Sequence, residues 1–320
     1  MKARALGHAL LLLALGGHGP AQAADRAKPL DAELSALRLS GPARMEELSG
    51  LAVSRTYPGI VWGHGDSGQP PVLWALDLER GELAFPPYLT KKFDDGASWP
   101  GLTLEGASNI DWEDLTTLNG WLYLGEFGNN GSARRDLGLW ALPEPNPRAT
   151  ERQRPAFFLP FHYPEQQRFP AEAWVFDAEA LFADPERNAL YLITKHRKAG
   201  DVRRFIPGAK LYRIPLDGAG RASTALTLVD QHEEMTAVTA AELSPSGAWL
   251  AVLTYRTLWL FPRPPAGEQW LSGPAYSRPL PFLETRQAEA LSWRDDTTLL
   301  LGNEEGRLWT VTLTLPKTGP

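Results

Sequence analysis

The sequence predicts an all-β fold, a single β-propeller of five blades. Short aromatic-rich runs such as Val72-Leu73-Trp74-Ala75-Leu76, Trp121-Leu122-Tyr123-Leu124 and Ala189-Leu190-Tyr191-Leu192-Ile193 have strand length and are bounded by Gly, Pro, Asp or Asn. No helical period survives two turns without a proline or glycine, of which the chain carries 28 and 29. A pattern of small or acidic residues opening an apolar strand recurs five times, at intervals of about 50 to 66 residues. Repetition with one four-stranded sheet per unit is the mark of a propeller.

In chain order, Lys2 and Arg4, the apolar residues 9–15 and Ala21-Gln22-Ala23 read as a cleavable secretory signal over residues 1–23. The alternative, an uncleaved anchor, is disfavoured because the apolar run falls short of a bilayer span. Residues 24–320 then form one propeller domain. Residues 34–39 precede the first unit and have no partner there, while the last unit runs out after its third strand. The N-terminal strand is expected to complete the last blade and close the ring.

The units open at Glu47-Leu48-Ser49-Gly50-Leu51, Asp111-Trp112-Glu113-Asp114-Leu115, Asp177-Ala178-Glu179-Ala180-Leu181, Val238-Thr239-Ala240-Ala241-Glu242 and Gln287-Ala288-Glu289-Ala290-Leu291. One column therefore holds Ser49, Glu113, Glu179, Thr239 and Glu289. Second strands fall at residues 60–63, 121–125, 189–194, 249–254 and 298–302. Third strands fall at residues 72–78, 137–142, 209–214, 257–261 and 307–313. A sixth blade hidden in residues 91–109 is the alternative count. The proline-rich residues 143–155 and 262–281 read as surface excursions that neither pair nor pack.

The 38 acidic and 32 basic side chains give a formal charge of −6, and loss of the signal would make the chain more acidic still. Such a chain is poorly suited to nucleic acid, whose binding rests on Lys and Arg neutralising phosphates. With no cysteine there is no disulfide framework, thiolate metal site or thiol nucleophile. The expected location is exported, periplasmic or secreted, with no stable membrane insertion after signal cleavage.

In a blade, the start of the first strand and the end of the second meet at one face of the ring. That rule gathers Asp111, Glu113, Asp177, Glu179 and Glu289 with Asp66, Asn130, Lys195, Tyr255 and Glu304. So many carboxylates would repel one another unless protons or a cation intervened. Oxygen ligands without thiolates suit Ca²⁺ or Mg²⁺ rather than Zn²⁺. The metal-ligand candidates are Asp111, Glu113, Asp177, Glu179 and Glu289. Arg134 and Arg135, after the turn Gly128-Asn129-Asn130-Gly131, join Asp66, Asn130, Tyr255 and Glu304 as ligand-binding candidates. The run from Arg197 to Arg204 reads as solvated loop charge.

Gly65-Asp66-Ser67-Gly68 matches a serine-protease nucleophile segment, but His64 is adjacent rather than far upstream, and a lipase-type reading would need alternating strands and helices. A turn between strands is the expected role.

Glu47-Leu48-Ser49-Gly50-Leu51, Gly65-Asp66-Ser67-Gly68, Asp111-Trp112-Glu113-Asp114-Leu115, Gly125-Glu126-Phe127-Gly128-Asn129-Asn130, Arg134-Arg135, Ser244-Pro245-Ser246-Gly247 and Gln287-Ala288-Glu289-Ala290-Leu291 together resemble a family of exported bacterial β-propellers. The resemblance spans nearly the whole mature chain. It implies a propeller fold, and some members are labelled phytase-like or esterase-like. Where the family pattern has Gly-Asp-Ile-Gly-Asp-Asn, this chain lengthens one carboxylate to Glu126 and neutralises another as Asn129, which implies a weaker or different cation site.

Two functions follow as expectations. The first is a channel mouth that binds a small anionic or oxygen-rich ligand through a divalent cation, in its enzymatic form a metal-assisted phosphoester hydrolase using Glu113, Glu179 and Lys195. The second is a non-catalytic protein- or glycan-binding module of the cell envelope, presenting loops around Trp99 or Trp270.

Overall fold

A computed structural model describes residues 27–39, 45–93, 99–218 and 222–316. The expected signal segment lies outside them. Among the described residues no helix is long and apolar enough to cross a membrane.

The chain forms a five-bladed propeller, each blade an antiparallel sheet built from the hub outward. The first blade runs Leu48–Val53, Ile60–Gly65, Val72–Asp77 and Leu102–Leu104. The second runs Trp112–Leu118, Trp121–Glu126, Gly138–Pro143 and Phe157–His162. Ala178–Asp184, Ala189–Thr194, Ala209–Ile214 and Thr227–His232 make the third. Val238–Leu243, Trp249–Thr254, Thr257–Pro262 and Tyr276–Pro279 make the fourth. The fifth contains Ala288–Asp295, Thr298–Asn303 and Leu308–Thr314, and Asp31–Leu37 supplies its outer strand in continuous register from Asp31 opposite Thr314 to Leu37 opposite Leu308. The ring is closed by pairing the two ends of the chain. The stretch that could have hidden a sixth blade instead supplies Leu102–Leu104, the outer strand of the first.

The inner strands are buried on both faces, and successive side chains enter opposite junctions because neighbouring blades sandwich them. Five hydrophobic clusters result, one per junction between blades. Trp112 is fully buried in the junction between the first and second blades, facing away from its acidic neighbours as alternation requires.

Two expectations need correction. Residues 143–155 and 262–281 both pair and pack. Arg152–Gln153 runs parallel to Leu102–Leu104, strapping the second blade onto the edge of the first. Thr224–Ala225 does the same from the third blade to Phe157–His162, and Lys28–Pro29 from the fifth to Tyr276–Pro279. At the outer edge of the third blade, Leu271 N and Ser272 N donate to Asp230 Oδ2 at 2.6 and 2.9 Å. Trp270, expected in an exposed loop, is 1% exposed, with Arg263 over its ring at 5.0 Å and its edge against Phe182. Proline punctuation hid these segments because a strap needs only two ladder bonds and one anchor.

Polar side chains also tie the inner strands across the junctions. Asp114 accepts from Leu115 N and, in the next blade, Leu181 N, both at 2.8 Å. Glu242 accepts from Ser292 Oγ at 2.8 Å and from Trp293 N, and Ser292 Oγ accepts from Val53 N at 2.8 Å.

Candidate functional site

Each inner strand begins with a β-bulge, and the bulge coincides with the repeat column. Pairing with the second strand skips Ser49, Glu179, Thr239 and Glu289, and in the second blade the two residues Glu113 and Asp114 oppose one. A bulge leaves its extra residue out of the ladder and re-aims its side chain. In this ring the re-aiming brings carboxylates from different blades together at the hub. Ser49 and Thr239, the neutral members of the column, instead donate to the inner strand of the next blade, to Glu113 O at 2.6 Å and Ala288 O at 2.9 Å.

Glu113 is the junction of two acidic groups. Carboxylate oxygens of Asp66, Asp111 and Glu113 lie within 4.8 Å of one another, and so do those of Glu113, Asp177 and Glu179. The second group is neutralised from the third blade. Arg197 donates through Nε to Asp177 Oδ2 at 2.7 Å and through a terminal nitrogen to Glu179 Oε1 at 2.9 Å. Lys195 Nζ donates to Glu179 Oε2 and to Tyr255 OH, the latter at 3.0 Å, and Tyr255 OH donates to Glu289 Oε1 at 2.8 Å. No Lys or Arg among the described residues donates a hydrogen bond to the Asp66 or Asp111 carboxylate. Asp66 is held by the tight turn after Gly65, where Asn109 Nδ2 donates to the Asp66 carbonyl at 2.9 Å and Ser67 N donates to its carboxylate. Among the described residues the Asp111 carboxylate receives only a long contact from Asn130 Nδ2, at 3.4 Å. Among the described residues no group donates a hydrogen bond to the Glu113 carboxylate, although Glu113 is only 5% exposed.

The electrostatics follow from that imbalance. Burial first, then the negative charges of Asp66 and Asp177, pushes the Asp111 carboxyl up to about 7. Glu113 is raised well above the usual range by burial and by Glu179. Asp66 and Glu304 are raised as well, in each case mainly by burial. Burial works to lower Lys195, but Glu179 and Glu289 outweigh it and raise the ammonium. Among the described residues the Asp66–Asp111–Glu113 group thus has no cation bonded to it, Arg134 and Lys195 acting on it only through space, where the neighbouring group has two buried cations. Gly128 borders it so closely that a Cβ there would overlap the Glu113 and Asp111 carboxylates.

Beside the hub lies a cavity of about 680 Å³ lined by Asn130, Arg197, Phe205, Tyr255 and Arg256 among others. One wall is a hairpin, Arg197–Lys198 paired with Asp201–Phe205, whose Phe205 ring lies under Lys195 and Arg197 at 5.0 and 4.7 Å.

Of the residues expected from sequence, Asp66, Asp111, Glu113, Asp177, Glu179, Lys195, Tyr255 and Glu289 meet at the hub. Asn130 reaches Asp111, and Glu304 accepts from Gln287 Nε2 at 2.6 Å within the field of Glu289 and Lys195. Arg134 sits beside Asp111 with its guanidinium committed to Glu126 Oε1 at 2.8 Å, Gly128 O at 2.9 Å and Asp136. Glu126 in turn accepts from Ile110 N and Asp111 N, so it builds the entry to the inner strand. Arg135 lies over Phe169 at 3.9 Å and lines a different cavity.

Arg197 corrects the reading of residues 197–204 as solvated charge: it is 7% exposed and doubly ion-paired. A signal was present, since Lys195 and Arg197 are two residues apart, as are Asp177 and Glu179. Extended chain places such pairs on one side.

No protein-family model and no curated protein matches the chain. Among solved structures, it is similar to the PQQ-bound aldose sugar dehydrogenase of Streptomyces coelicolor, with 11% identity over 90% of this chain and 100% of that one, at a TM-score of 0.50. A gluconolactonase from Xanthomonas campestris is also matched, at 11% identity over 91% of this chain and 99% of that one, with a TM-score of 0.43. At these identities the likeness concerns the fold.

Proposed function

We propose that this is an exported propeller, periplasmic or secreted, whose hub binds a divalent cation, Ca²⁺ or Mg²⁺, and through it a small anionic ligand, with phosphoester hydrolysis as its reaction. The observation that carries this reading is the buried Glu113 carboxylate, which has no hydrogen-bond donor among the described residues and lies within 4.8 Å of the Asp66 and Asp111 carboxylates. Buried carboxylates without donors are costly, and either protons or a cation must relieve them. Three hard oxygen donors fit Ca²⁺ or Mg²⁺.

Asp66, Asp111 and Glu113 would hold the ion, while Asp177 and Glu179 keep Arg197 and Lys195 in place. The chemistry such an ion supplies is Lewis acidity toward a phosphoryl oxygen and toward water. Lys195, fixed by Glu179 and Tyr255, offers permanent positive charge to the oxyanion developing in the transition state. Glu113 is engaged with the ion, so the proton of the attacking water passes to solvent. The water oxygen forms the new P–O bond, the ester P–O bond breaks, and the leaving oxygen departs with a proton from solvent. The likeness of fold to a sugar dehydrogenase does not decide the chemistry, because one fold hosts many functions. The rival reading, a module displaying loops around Trp99 and Trp270, loses support because Trp270 is buried and Trp99 stacks on Phe85.

The test is thermal unfolding of the mature protein in chelator and then in Ca²⁺, Mg²⁺ or Mn²⁺, since a ligand of the native state must raise the melting temperature. One of these ions should raise it, Glu113→Gln should abolish the shift, and the same ion should support phosphomonoester turnover. An unchanged melting temperature with every ion would remove the metal reading. A shift without turnover would leave a cation-dependent binder.

A further inference from the structure

The cavity beside the hub narrows the ligand class, and this step rests on the reading just given. Its walls are aromatic: Phe205, Tyr255 and Phe282 all line it. Its neutral polar side chains already have partners. Gln287 Nε2 donates to Glu304, Asn130 Nδ2 reaches toward Asp111, and Tyr255 OH lies between Lys195 Nζ and Glu289. The donors that remain are guanidiniums, which favour an anionic head over a neutral hydroxyl.

The cavity wall combines positive charge with apolar surface: Phe205 and Tyr255 pack on Lys195, Phe282 packs on Arg256, and Val202 extends the apolar wall. Arg203 and Arg256 line it, and among the described residues neither guanidinium makes an ion pair with a carboxylate. Arg256 lies over the Phe282 ring at 4.3 Å, so its charge is held at the cavity wall by an aromatic face. A guanidinium so placed can accept an anionic head, while the rings accept a flat apolar body.

We infer that the ligands of this site are aryl-type phosphoesters, in which a planar apolar group carries a single anionic head, in preference to hydroxylated ones. Phe205, Tyr255 and Phe282 select the ring. Arg203 and Arg256 draw in the head, and the hub acids with their cation receive the ester oxygen.

Titration calorimetry of the full mature protein in calcium buffer tests this with non-hydrolysable probes: phenylphosphonate, methylphosphonate and hydroxymethylphosphonate. Phenylphosphonate should bind about tenfold more tightly than either small probe, the scale expected for stacking plus ring burial. Phe282→Ala should reduce that advantage to below about threefold, and Arg256→Gln should weaken all three probes. Equal affinities for the phenyl and methyl probes in the unaltered protein would overturn the inference while leaving the function proposed above intact. A preference for hydroxymethylphosphonate would overturn it in the same way. If calcium raises the melting temperature but no phosphonate binds, the anionic-ligand reading fails and this inference fails with it.

Discussion

Glu242 is buried at 7% exposure, and burial pushes its carboxyl up to about 7, against the opposing pull of Arg55 and the Trp293 N–H. A folded-state value above the ordinary 4.5 means that the folded protein holds the proton more tightly than the unfolded chain. The corresponding stability is fully present below about 4.5 and is lost as pH rises through about 7, a loss of about 3 kcal/mol. Glu242→Gln keeps an acceptor for Ser292 and Trp293 but cannot ionise. Urea unfolding between pH 5 and 8 should therefore show a slope flatter than that of the unaltered protein by about 2–3 kcal/mol. Identical slopes would show the carboxylate to be charged throughout. His64 has the opposite sign: burial lowers it to about 4, so its contribution is present above 6.5 and disappears as pH falls toward 4. Asp114 satisfies two buried N–H groups in different blades, so Asp114→Ala should cost about 2–4 kcal/mol in chemical denaturation and Asp114→Asn much less. At Gly128, a methyl group would intrude on the Asp111 and Glu113 carboxylates. Gly128→Ala is expected to abolish any cation-induced rise in melting temperature while the far-ultraviolet circular dichroism stays that of a β-protein.

The inner strand with its opening bulge is the element that turns a repeat into a site. Its neutral members act as clamps between blades, so Ser49→Ala and Thr239→Val should each destabilise by about 1 kcal/mol. Because the two sit in blades that are not neighbours and share no partner, the losses should add in the double variant. A marked departure from additivity, measured by urea unfolding, would mean that the bulges communicate. The column Ser49, Glu113, Glu179, Thr239 and Glu289 was legible from sequence because turn residues and apolar runs recur around it. Its coincidence with a bulge was not, since a register shift depends on how many residues the partner strand offers. The charge partners were half legible. Lys195 was singled out, but Arg197 was hidden in a basic run whose other members, Arg203 and Arg204, do face solvent. Arg134, expected at the site from its place after a Gly-Asn turn, lies beside Asp111 with its guanidinium bonded to the Glu126 carboxylate.

At the scale of the whole molecule, closure depends on Asp31–Leu37, which pairs along its full length with Leu308–Thr314 and carries the buried Ala32 into the last junction. A chain beginning at Met45 would expose that edge and open the ring. It should lose a single cooperative unfolding transition, or melt lower by more than about 10 °C, in calorimetry. The closing strand and blade count could be read from sequence, because they follow from strand arithmetic. The straps that sew the outer edges of the first four blades to a neighbour could not, since such short pairings carry no periodicity. The bulges have a consequence for the history of such a wheel. A position that lies outside the ladder can change from glutamate to serine or threonine without disturbing the strands beside it, as the five positions here already show. The rim preserves the architecture while the axle can be re-tooled one tooth at a time, so descendants of a single scaffold can acquire new chemistries without first relearning how to fold.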